Sequence, residues 1–289
     1  MRFRWDWLRP VVPAPYVPTI GPVHPSVLTE DLFTDTLTAA STDRWFLRYD
    51  KDIRWSDSKD ETVLVESIVH LSSETLIPTL SRRGVGMIKV HLYGIEPSSV
   101  LAATELAQKL SAEHGASKSR VVQFLGPEST GGRGTRIQLK DFRTALCLPP
   151  DGPVRSIDEW PAGVRGTFAD FAEQMASDGF VFLYEQMQAG TVGPVLTAVV
   201  DGSVAGAIGP MEIRPDAIGT PQLMPQYFGV LPEHRGAGLG RLLWRAAMHW
   251  GQVNGAAYQL LQTEAGGPSD RLCRSEGLTS LGFIYWQAA

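Results

Sequence analysis

Three glycines at alternate positions follow an arginine in residues 227–251, which read YFGVLPEHRGAGLGRLLWRAAMHWG. Gly236, Gly238 and Gly240 lie between an apolar run that ends in a proline turn and a segment with the apolar spacing of a half-buried helix. Inside a helix, each glycine would cost roughly 0.5–1 kcal/mol relative to alanine. Directly before a helix, glycines let backbone N–H groups approach an anion closely, and the helix dipole adds attraction for phosphate. The stretch therefore predicts a site for a phosphate-bearing ligand.

Two common phosphate-binding motifs do not fit this loop. The Walker-type P-loop ends in Gly-Lys-Ser/Thr, whereas Gly240 is followed by Arg241 and Leu242. The dinucleotide fingerprint needs the spacing G-x-G-x-x-G and an acidic residue about 20 positions later. The loop has the spacing G-A-G-L-G, and Glu264 comes later than that motif requires. The alternative without a ligand is a glycine turn that only packs a helix against a sheet.

The loop and its surroundings resemble motif A of the GNAT superfamily of acyl-CoA-dependent N-acetyltransferases. The family's signature is Gln/Arg-x-x-Gly-x-Gly/Ala after a strand that ends in a valine and a proline turn. The segment VLPEHRGAGLG matches this signature at Arg235, Gly238 and Gly240. An upstream hairpin, and a downstream helix, strand, short helix and LGF, extend the resemblance over residues 136–289. It implies a GNAT fold in the C-terminal half and acetyl-CoA as co-substrate.

The resemblance also implies roles for the backbone of the loop and of the strand before it. The family holds the CoA pyrophosphate on loop amides, which here are those of Arg235, Gly236, Ala237, Gly238, Leu239, Gly240 and Arg241. The Arg235 side chain would assist them. The backbone of Phe228 and Val230 would bind the pantetheine arm, where the central strand separates from its neighbour. The resemblance implies no metal.

A general base is predicted from a carboxylate in apolar surroundings. Glu212 is the first candidate, because it lies in the otherwise apolar stretch AIGPMEI, interpreted as a strand beside the cleft. Burial there would make the carboxylate a better proton acceptor, although an outward-facing strand residue is the alternative. Glu264, at the end of YQLLQTE, is the second candidate. His234 is expected to cap a turn or face solvent, and His249 to pack on the helix.

The general acid is missing from its usual position. In the family a tyrosine often lies four residues before the glycine of GF, but here that glycine is Gly282 and the earlier position is Leu278. Water, Tyr285 or another tyrosine could protonate the leaving thiolate, or the thiolate leaves unassisted. Neither Cys147 nor Cys273 lies where a covalent carrier would be expected, so direct transfer in a ternary complex is predicted.

Composition argues against several classes of function. A net charge of −5 gives no reason to expect a nucleic-acid partner. Two cysteines without metal-ligand or framework spacing favour a reducing, cytoplasmic compartment. Charges and prolines interrupt the N-terminal segment, and no long apolar stretch occurs, so neither secretion nor a membrane span is expected.

The chain is predicted to be an α/β protein with a mixed sheet and three parts. Residues 1–25 are expected to form an extended, proline-rich surface arm, residues 26–130 an N-terminal α/β domain, and residues 131–289 the catalytic domain. Local patterns predict a short helix in SSETLIPTLSRRG and a strand over residues 180–186. The short C-terminal sheet edge makes a homodimer a reasonable expectation.

The N-terminal half contains a strand, GMIKVHLYG, then a long helix and a second strand, RVVQF. This order resembles the later part of a GNAT unit without a phosphate loop, which suggests a degenerate GNAT-like domain in tandem with the catalytic one. The alternative is an unrelated α/β domain that shapes the acceptor site. SRRGVG is not expected to be a second phosphate site, because a strand follows it.

The predicted function is transfer of an acetyl group from acetyl-CoA to the primary amine of a small molecule. Two alternatives stay open at this point. The first is a sensor or scaffold that binds acyl-CoA without catalysis, which the missing tyrosine favours. The second is a peptide or protein acetyltransferase, which would need an open groove.

Overall fold

The computed structural model describes residues 4–41, 46–47, 49–56, 59–71, 73–82, 84–94, 99–129, 134–144 and 146–289. The chain forms two compact units. Unit 1 consists of Met1–Leu139, Asp216–Ile218 and Leu260–Ala289, and unit 2 of Lys140–Pro215 and Gly219–Gln259. The C-terminal segment thus belongs to the same unit as the N-terminal half.

The helices are Trp5–Leu8 (α1), Glu30–Ser41 (α2), Ser99–His114 (α3), Ala162–Gly166 (α4), Phe168–Gln174 (α5), Phe180–Gln188 (α6), Leu239–Val253 (α7) and Pro268–Ser275 (α8). The strands are Tyr16–Val17 (β1), Gly21–Pro22 (β2), Glu61–Val63 (β3), Val69–His70 (β4), Glu74–Ser81 (β5), Met87–Gly94 (β6), Lys118–Leu125 (β7), Thr135–Asp141 (β8), Val154–Ser156 (β9), Leu196–Val200 (β10), Ser203–Gly209 (β11), Ile213–Pro215 (β12), Pro221–Leu223 (β13), Tyr227–Val230 (β14), Tyr258–Glu264 (β15) and Thr279–Ala288 (β16).

The sheet of unit 1 has the strand order β3, β5, β6, β7, β16, β8, with β4 beside β5. β6 and β7 are parallel and are connected by α3. The β3–β5, β5–β6, β7–β16 and β16–β8 pairs are antiparallel. The predicted mixed sheet is therefore confirmed, and so is the strand–helix–strand order in the N-terminal half.

The two faces of this sheet are covered by different cores. On one face, Ile88, Val90 and Val121 pack against the buried residues Ala103 and Ala107 of α3. The alternate residues of the same strands face the other way, as the two-residue period of a strand requires. That second face packs against α2 and the N-terminal segment.

The N-terminal segment differs from the predicted extended arm. Leu8 and Val17 are completely buried in the core of unit 1, together with Phe124 and Ile137 from the sheet. The prolines prevent a long helix, but the apolar residues between them are still removed from water. Residues 4–25 therefore form part of the core instead of lying extended on a surface.

β16 completes the sheet of unit 1. It pairs on one side with β7, where Phe283 lies opposite Leu125, and on the other with β8, where Ser280 lies opposite Gln138. The predicted division at residue 131 therefore differs from the boundary between the compact units, because β8 and the last strand both fold with the N-terminal half. Neither of these long-range pairings has a local sequence signal.

Unit 2 contains an antiparallel sheet in the order β9, β10, β11, β14. The hairpin between β10 and β11 turns at Asp201 and Gly202, whose φ angles of 49° and 79° are those of a type I′ turn. The predicted Asp-Gly hairpin is thus confirmed. Phe168, Phe171 and Phe180 from α5 and α6 form a buried cluster with residues of this sheet.

Two local predictions are wrong. The segment predicted as a short helix is β5, in which Thr75, Ile77 and Thr79 are buried and Pro78 would interrupt a helix. Residues 180–186, predicted as a strand, lie in helix α6. The apolar residues of α6 pack into the core at helical spacing. A short apolar run does not distinguish such a helix from a buried strand.

The long helix of the N-terminal half and the elements after the glycine loop lie where the sequence predicts them. These are α3, α7, β15 and α8, and SRRGVG is followed by a strand, β6, as expected. Among the described residues, no helix is both long enough and apolar enough to cross a membrane.

Candidate functional site

The strand that leads to the glycine loop, β14, does not continue the parallel pairing that β13, the strand before it, makes with β15. β13 pairs with β15, where Gln222 and Leu223 lie opposite Tyr258 and Gln259. The chain then turns through residues 224–226, and β14 pairs with β11 instead. In the part of the chain that the structure describes, no strand pairs with the other edge of β14. The backbone along this edge is available to an extended ligand.

Strand periodicity identifies the groups along that edge. Leu231, directly after β14, donates its N–H to the Ala205 carbonyl at 2.9 Å. In an antiparallel pair, alternate residues direct their N–H and C=O groups towards the partner strand. Gly229 therefore faces β11, whereas the backbone of Phe228 and Val230 faces the opposite edge. These are the two residues that the resemblance assigns to the pantetheine arm.

Two glycines in the loop adopt the left-handed conformation. Gly236 and Gly238 have φ angles of 83° and 84°, and a Cβ added to either residue would meet no atom within 4 Å. Their conformation, not crowding, therefore requires glycine here, because a side chain at such φ costs about 1–2 kcal/mol. Left-handed residues in a turn are one of the backbone patterns in which neighbouring N–H groups can form an anion-binding nest.

The loop leads directly into the N-terminus of α7. Gly238 is the N-cap of α7 and offers no side-chain acceptor, and the first turn contains no acidic residue. The first backbone N–H groups of any helix lack partners inside the helix. Because neither a cap nor a carboxylate satisfies them here, the N-terminus of α7 keeps its donors and its partial positive charge for a ligand.

The third glycine serves packing. A Cβ added to Gly240 would lie 3.4 Å from the Phe228 ring and 3.9 Å from a Val230 methyl. α7 therefore lies close against β14 at this point. Buried residues along one face of α7, including Leu243 and Ala247, anchor the helix.

Arg235 connects the loop to the strand. Its Nε donates to the Val230 carbonyl at 3.0 Å, while the side chain remains exposed. This bond keeps the guanidinium beside the loop, as expected for a group that assists with pyrophosphate. It also occupies one of the two backbone carbonyls that the resemblance assigns to the pantetheine arm.

Glu212 is not in a continuous strand. β11 ends at Gly209 and β12 begins at Ile213, so Glu212 lies in the connection between them, which differs from the predicted apolar strand. Its carboxylate is half-buried and accepts a hydrogen bond from Arg214 Nε. The Glu212 carbonyl accepts from the Met224 N–H at 2.9 Å, which ties this connection to the turn between β13 and β14.

The other acid–base candidates fall into two groups. Glu264, Leu278 and Tyr285 belong to unit 1, whereas the glycine loop belongs to unit 2. Glu264 is exposed at the end of β15, and Leu278 is buried directly before β16. In unit 2, His234 ends a short 3₁₀ turn before the loop, and His249 Nδ1 donates to the Cys147 carbonyl at 2.7 Å.

The two thiols are poor nucleophiles. Burial raises the pKa of Cys147, and burial together with the nearby Asp270 raises the pKa of Cys273 to about 11. Both therefore remain protonated at neutral pH, although thiolates are the reactive form. Within the described ranges, no three His, Cys, Asp or Glu side chains are grouped in a way that could hold a metal ion.

Sequence reasoning missed a glutamine at the strand separation. Gln259 is completely buried, and its Nε2 donates to Gln226 Oε1 at 2.6 Å. Its own Oε1 has no hydrogen-bond partner among the described residues. A buried amide oxygen without a donor is uncommon. The available signal was a polar residue inside the apolar run YQLLQTE, where β15 is still paired with β13.

The comparison with protein families agrees with this geometry. Residues 160–273 match the model of the acetyltransferase (GNAT) family. The chain contains a GNAT acetyltransferase domain. This domain includes β14, the glycine loop, α7 and α8, and GNAT enzymes use acetyl-CoA as acyl donor.

Solved structures that match the chain include several GNAT proteins. A GCN5-related N-acetyltransferase from Sphaerobacter thermophilus has 15% sequence identity over 75% of this chain and 80% of its own, with a TM-score of 0.46. A tandem GNAT protein from the clavulanic acid biosynthesis pathway has 12% identity over 89% of this chain and 94% of its own, with a TM-score of 0.49. A GCN5-related N-acetyltransferase from Kribbella flavida has 17% identity over 78% and 90%, with a TM-score of 0.44. No curated protein sequence matches the chain.

Proposed function

We propose that the protein transfers an acetyl group from acetyl-CoA to the primary amine of a small molecule, by direct transfer in a ternary complex. The unpaired edge of β14, next to a glycine loop at the N-terminus of α7, carries the proposal. A donor that is both extended and phosphorylated needs these two features side by side. The family assigned to residues 160–273 supports the acyl donor.

The protein's own groups would divide the work of binding. The loop amides of residues 235–241 would hold the pyrophosphate, with the Arg235 guanidinium beside them. The backbone of Phe228 and Val230 would hold the pantetheine arm, because an unpaired strand edge offers N–H and C=O groups in the same way as a partner strand. Gln259, whose amide oxygen has no partner among the described residues, lies on β15 opposite Leu223 of β13.

The reaction forms one bond and breaks one. An ammonium acceptor first loses one proton to solvent. The neutral amine nitrogen then attacks the thioester carbonyl carbon, the new C–N bond replaces the C–S bond, and the nitrogen loses a second proton. Glu212 is our proposed acceptor of that proton, with Arg214 fixing the orientation of its carboxylate. The thiolate takes a proton from solvent, since Leu278 replaces the tyrosine that the family often uses.

A cationic acceptor is supported by the charge distribution. Residues 151–289 contain eight basic and 14 acidic residues. An acidic surface raises the local concentration of a small ammonium ion and speeds its association. Cytoplasmic location remains part of this proposal, because an enzyme that uses acetyl-CoA needs a compartment that supplies it.

The test measures acetyl-CoA affinity by calorimetry and CoA thiol release over a panel of small primary amines. General bases typically contribute 10²–10⁴-fold, so Glu212→Gln should lower kcat at least about 100-fold and leave acetyl-CoA affinity unchanged. Glu173→Gln, an exposed residue of α5, is the matched control and should change neither value. Unchanged turnover in Glu212→Gln would remove Glu212 from the mechanism but not the transferase activity.

A sensor that binds acyl-CoA without turnover is the second candidate. It is favoured by the leucine at position 278 and by the arginine that occupies Glu212. Tight binding of acetyl-CoA without thiol release over the whole amine panel would establish it in place of the enzyme. Weak or absent acetyl-CoA binding would contradict both candidates.

A further inference from the structure

A polar cavity of about 220 Å³ lies in unit 1. It is lined from β1, β6, β7, β8, β15 and β16, on the sheet face opposite α3. A water molecule occupies ~30 Å³ of liquid, whereas pockets for drug-sized ligands begin near ~300 Å³. The cavity is therefore larger than one or two waters need and fits a ligand smaller than a typical drug.

The cavity has a buried floor and a more exposed mouth. His91, Val122 and Ile284 are at most 7% exposed and form the floor. Arg120 is half-buried, and Trp286 is 59% exposed, so both lie near the mouth. A ligand would enter past a cation and an indole ring.

The lining carries positive charge and no carboxylate. Lys89 is neutralised by Glu61, whose Oε2 lies 2.8 Å from Lys89 Nζ. Arg120 has no carboxylate partner among the described residues; its guanidinium lies 4.7 Å from the centre of the Trp286 ring. A half-buried arginine usually has a paired anion, because desolvation of its charge is otherwise uncompensated. Arg120 therefore offers a free fork of donors that matches a carboxylate.

His91 gives the floor an acceptor. Its Nδ1 donates to the Ile77 carbonyl at 3.1 Å, which leaves Nε2 as the acceptor nitrogen. Burial lowers the pKa of His91 to about 4, so the ring is neutral at neutral pH. The Tyr16 ring stacks on His91 with 5.9 Å between their centres. The inner part of the cavity therefore combines a flat aromatic surface with one hydrogen-bond acceptor.

We propose that this cavity binds a small aromatic carboxylate that carries a hydroxyl or amino group on its ring. Its carboxylate would pair with Arg120, its ring would lie against Tyr16 and Trp286, and its hydroxyl or amino hydrogen would bond to His91 Nε2. An ammonium ion would be repelled by Arg120, so this site differs from the acceptor site of the proposed transferase. The proposal does not depend on acetyl-CoA binding.

The test titrates the full-length protein with 4-hydroxybenzoate by calorimetry. The matched neutral probe is 4-hydroxybenzamide, which keeps the ring and hydroxyl but lacks the charge. Hydrogen bonds to a charged group typically change affinity by about 10- to 100-fold. We therefore expect saturable binding of the carboxylate and at least tenfold weaker binding of the amide.

Variants locate the site. Arg120→Gln should weaken 4-hydroxybenzoate binding at least about tenfold, while Arg274→Gln, an exposed arginine of α8 in the same unit, should leave it unchanged. If Arg120→Gln does not fold, Trp286→Leu at the exposed mouth should weaken binding of the same probe. Absence of saturable binding, equal affinity for the amide, or unchanged affinity in the folded Arg120 or Trp286 variant would overturn the proposal.

Discussion

Two segments of this chain follow the same course, a strand, a helix and a second strand, but they leave different groups for a ligand. In unit 1, β6 and β7 stay paired in parallel from Met87 with Lys118 to Leu92 with Gln123, with α3 between them. In unit 2, β13 pairs with β15 at only two positions, and β14 then joins β11. In the first segment, both strands are hydrogen-bonded to neighbouring strands on each side. In the second, one edge of β14 has no strand partner among the described residues.

The sequences that precede the two helices also differ. The sequence between β6 and α3 is IEPS, which has no glycine and carries a negative charge. The loop before α7 has two left-handed glycines and no acid in the first helical turn. The strand–helix–strand course alone therefore makes no cofactor site; the unpaired strand edge and the glycine loop must occur together.

The largest loss of stability is expected from removal of a buried carboxylate in unit 1. Asp270 is completely buried and accepts hydrogen bonds from Arg136 Nε at 2.7 Å and from the Gly266 N–H at 2.9 Å. Asp270→Ala leaves the mostly buried Arg136 guanidinium without its carboxylate partner, and breaking a buried ion pair in this way typically costs about 3–5 kcal/mol of folding free energy. Urea unfolding measures the loss. The exposed pair of Asp141 and Arg143 is the control, and Asp141→Ala should cost under about 1 kcal/mol.

The same carboxylate predicts an acid limit. Burial alone would raise the pKa of Asp270, but hydrogen bonds from Gly266 and Arg136 outweigh it and lower the pKa. A lowered folded pKa means that the stabilisation is complete above the unfolded value, near ~3.9, and is lost as pH falls below it. If the free energy of unfolding changed equally with pH in Asp270→Asn and in the wild type below pH 4, this assignment would be contradicted.

The second-largest effect is expected on acetyl-CoA affinity, when the glycine loop before α7 is altered. Gly238→Val places a β-branched residue at a φ of 84°, which strains the loop and blocks the approach of phosphate. We expect acetyl-CoA affinity to fall at least about 100-fold, equal to ~2.7 kcal/mol, by calorimetry. Gly255→Val is the matched control. Gly255 follows the other end of α7, has a φ of 90°, and a Cβ added there would meet no atom within 4 Å.

The two glycine variants should lose similar stability, so only the affinities should separate them. Retained acetyl-CoA affinity in Gly238→Val would mean that the loop is a packing turn. Equal loss of affinity in both variants would show that strain at either end of α7 disturbs the site.

A third, smaller effect is a pH dependence of stability that comes from His91 on β6. Because burial lowers the pKa of His91 to about 4, against ~6.5 in the unfolded chain, acid favours the unfolded state. The contribution of His91 to stability should fall by about 1 kcal/mol between pH 6.5 and 5.5. His91→Phe should lose this slope, measured by urea unfolding at both pH values. Equal slopes in the two proteins would show that His91 already binds a proton in the folded state.

The smallest effect is expected on the surface of α3. Lys109 and Glu113 form an exposed i, i+4 pair with 3.8 Å between Nζ and Oε1. Lys109→Gln should change the free energy of unfolding by no more than ~0.5 kcal/mol. Leu110→Ala, next to it but buried, should cost ~2–5 kcal/mol. Similar losses of unfolding free energy in the two variants would mean that the Lys109 side of α3 is buried as well.

The phosphate loop was predictable because its signals are local. The proline turn, the glycines and the apolar spacing of α7 all lie within residues 227–251, and backbone conformation follows from them directly. The turn at Asp201 and Gly202 and the end of α3 at Gly115 were predictable for the same reason. In each case glycine occupies a left-handed position that few other residues tolerate.

Long-range features were not predictable from the same sequence. Nothing near Phe283 indicates that it pairs with Leu125, and nothing near Leu8 indicates a place in the core of unit 1. The apolar setting inferred for Glu212 overlooked Arg214, two residues away, because side-chain direction in an irregular connection has no period. The orphaned oxygen of Gln259 likewise depends on what surrounds it in space.

The central place of β16 has a consequence for synthesis of the protein. The ribosome completes β7 and β8 long before β16, and at 5–20 residues per second the interval is roughly 7–30 s. During that time, the two strand edges that β16 later joins are exposed on the nascent chain. Exposed strand edges readily pair with other chains. We therefore expect nascent unit 1 to depend on chaperones until its last strand emerges.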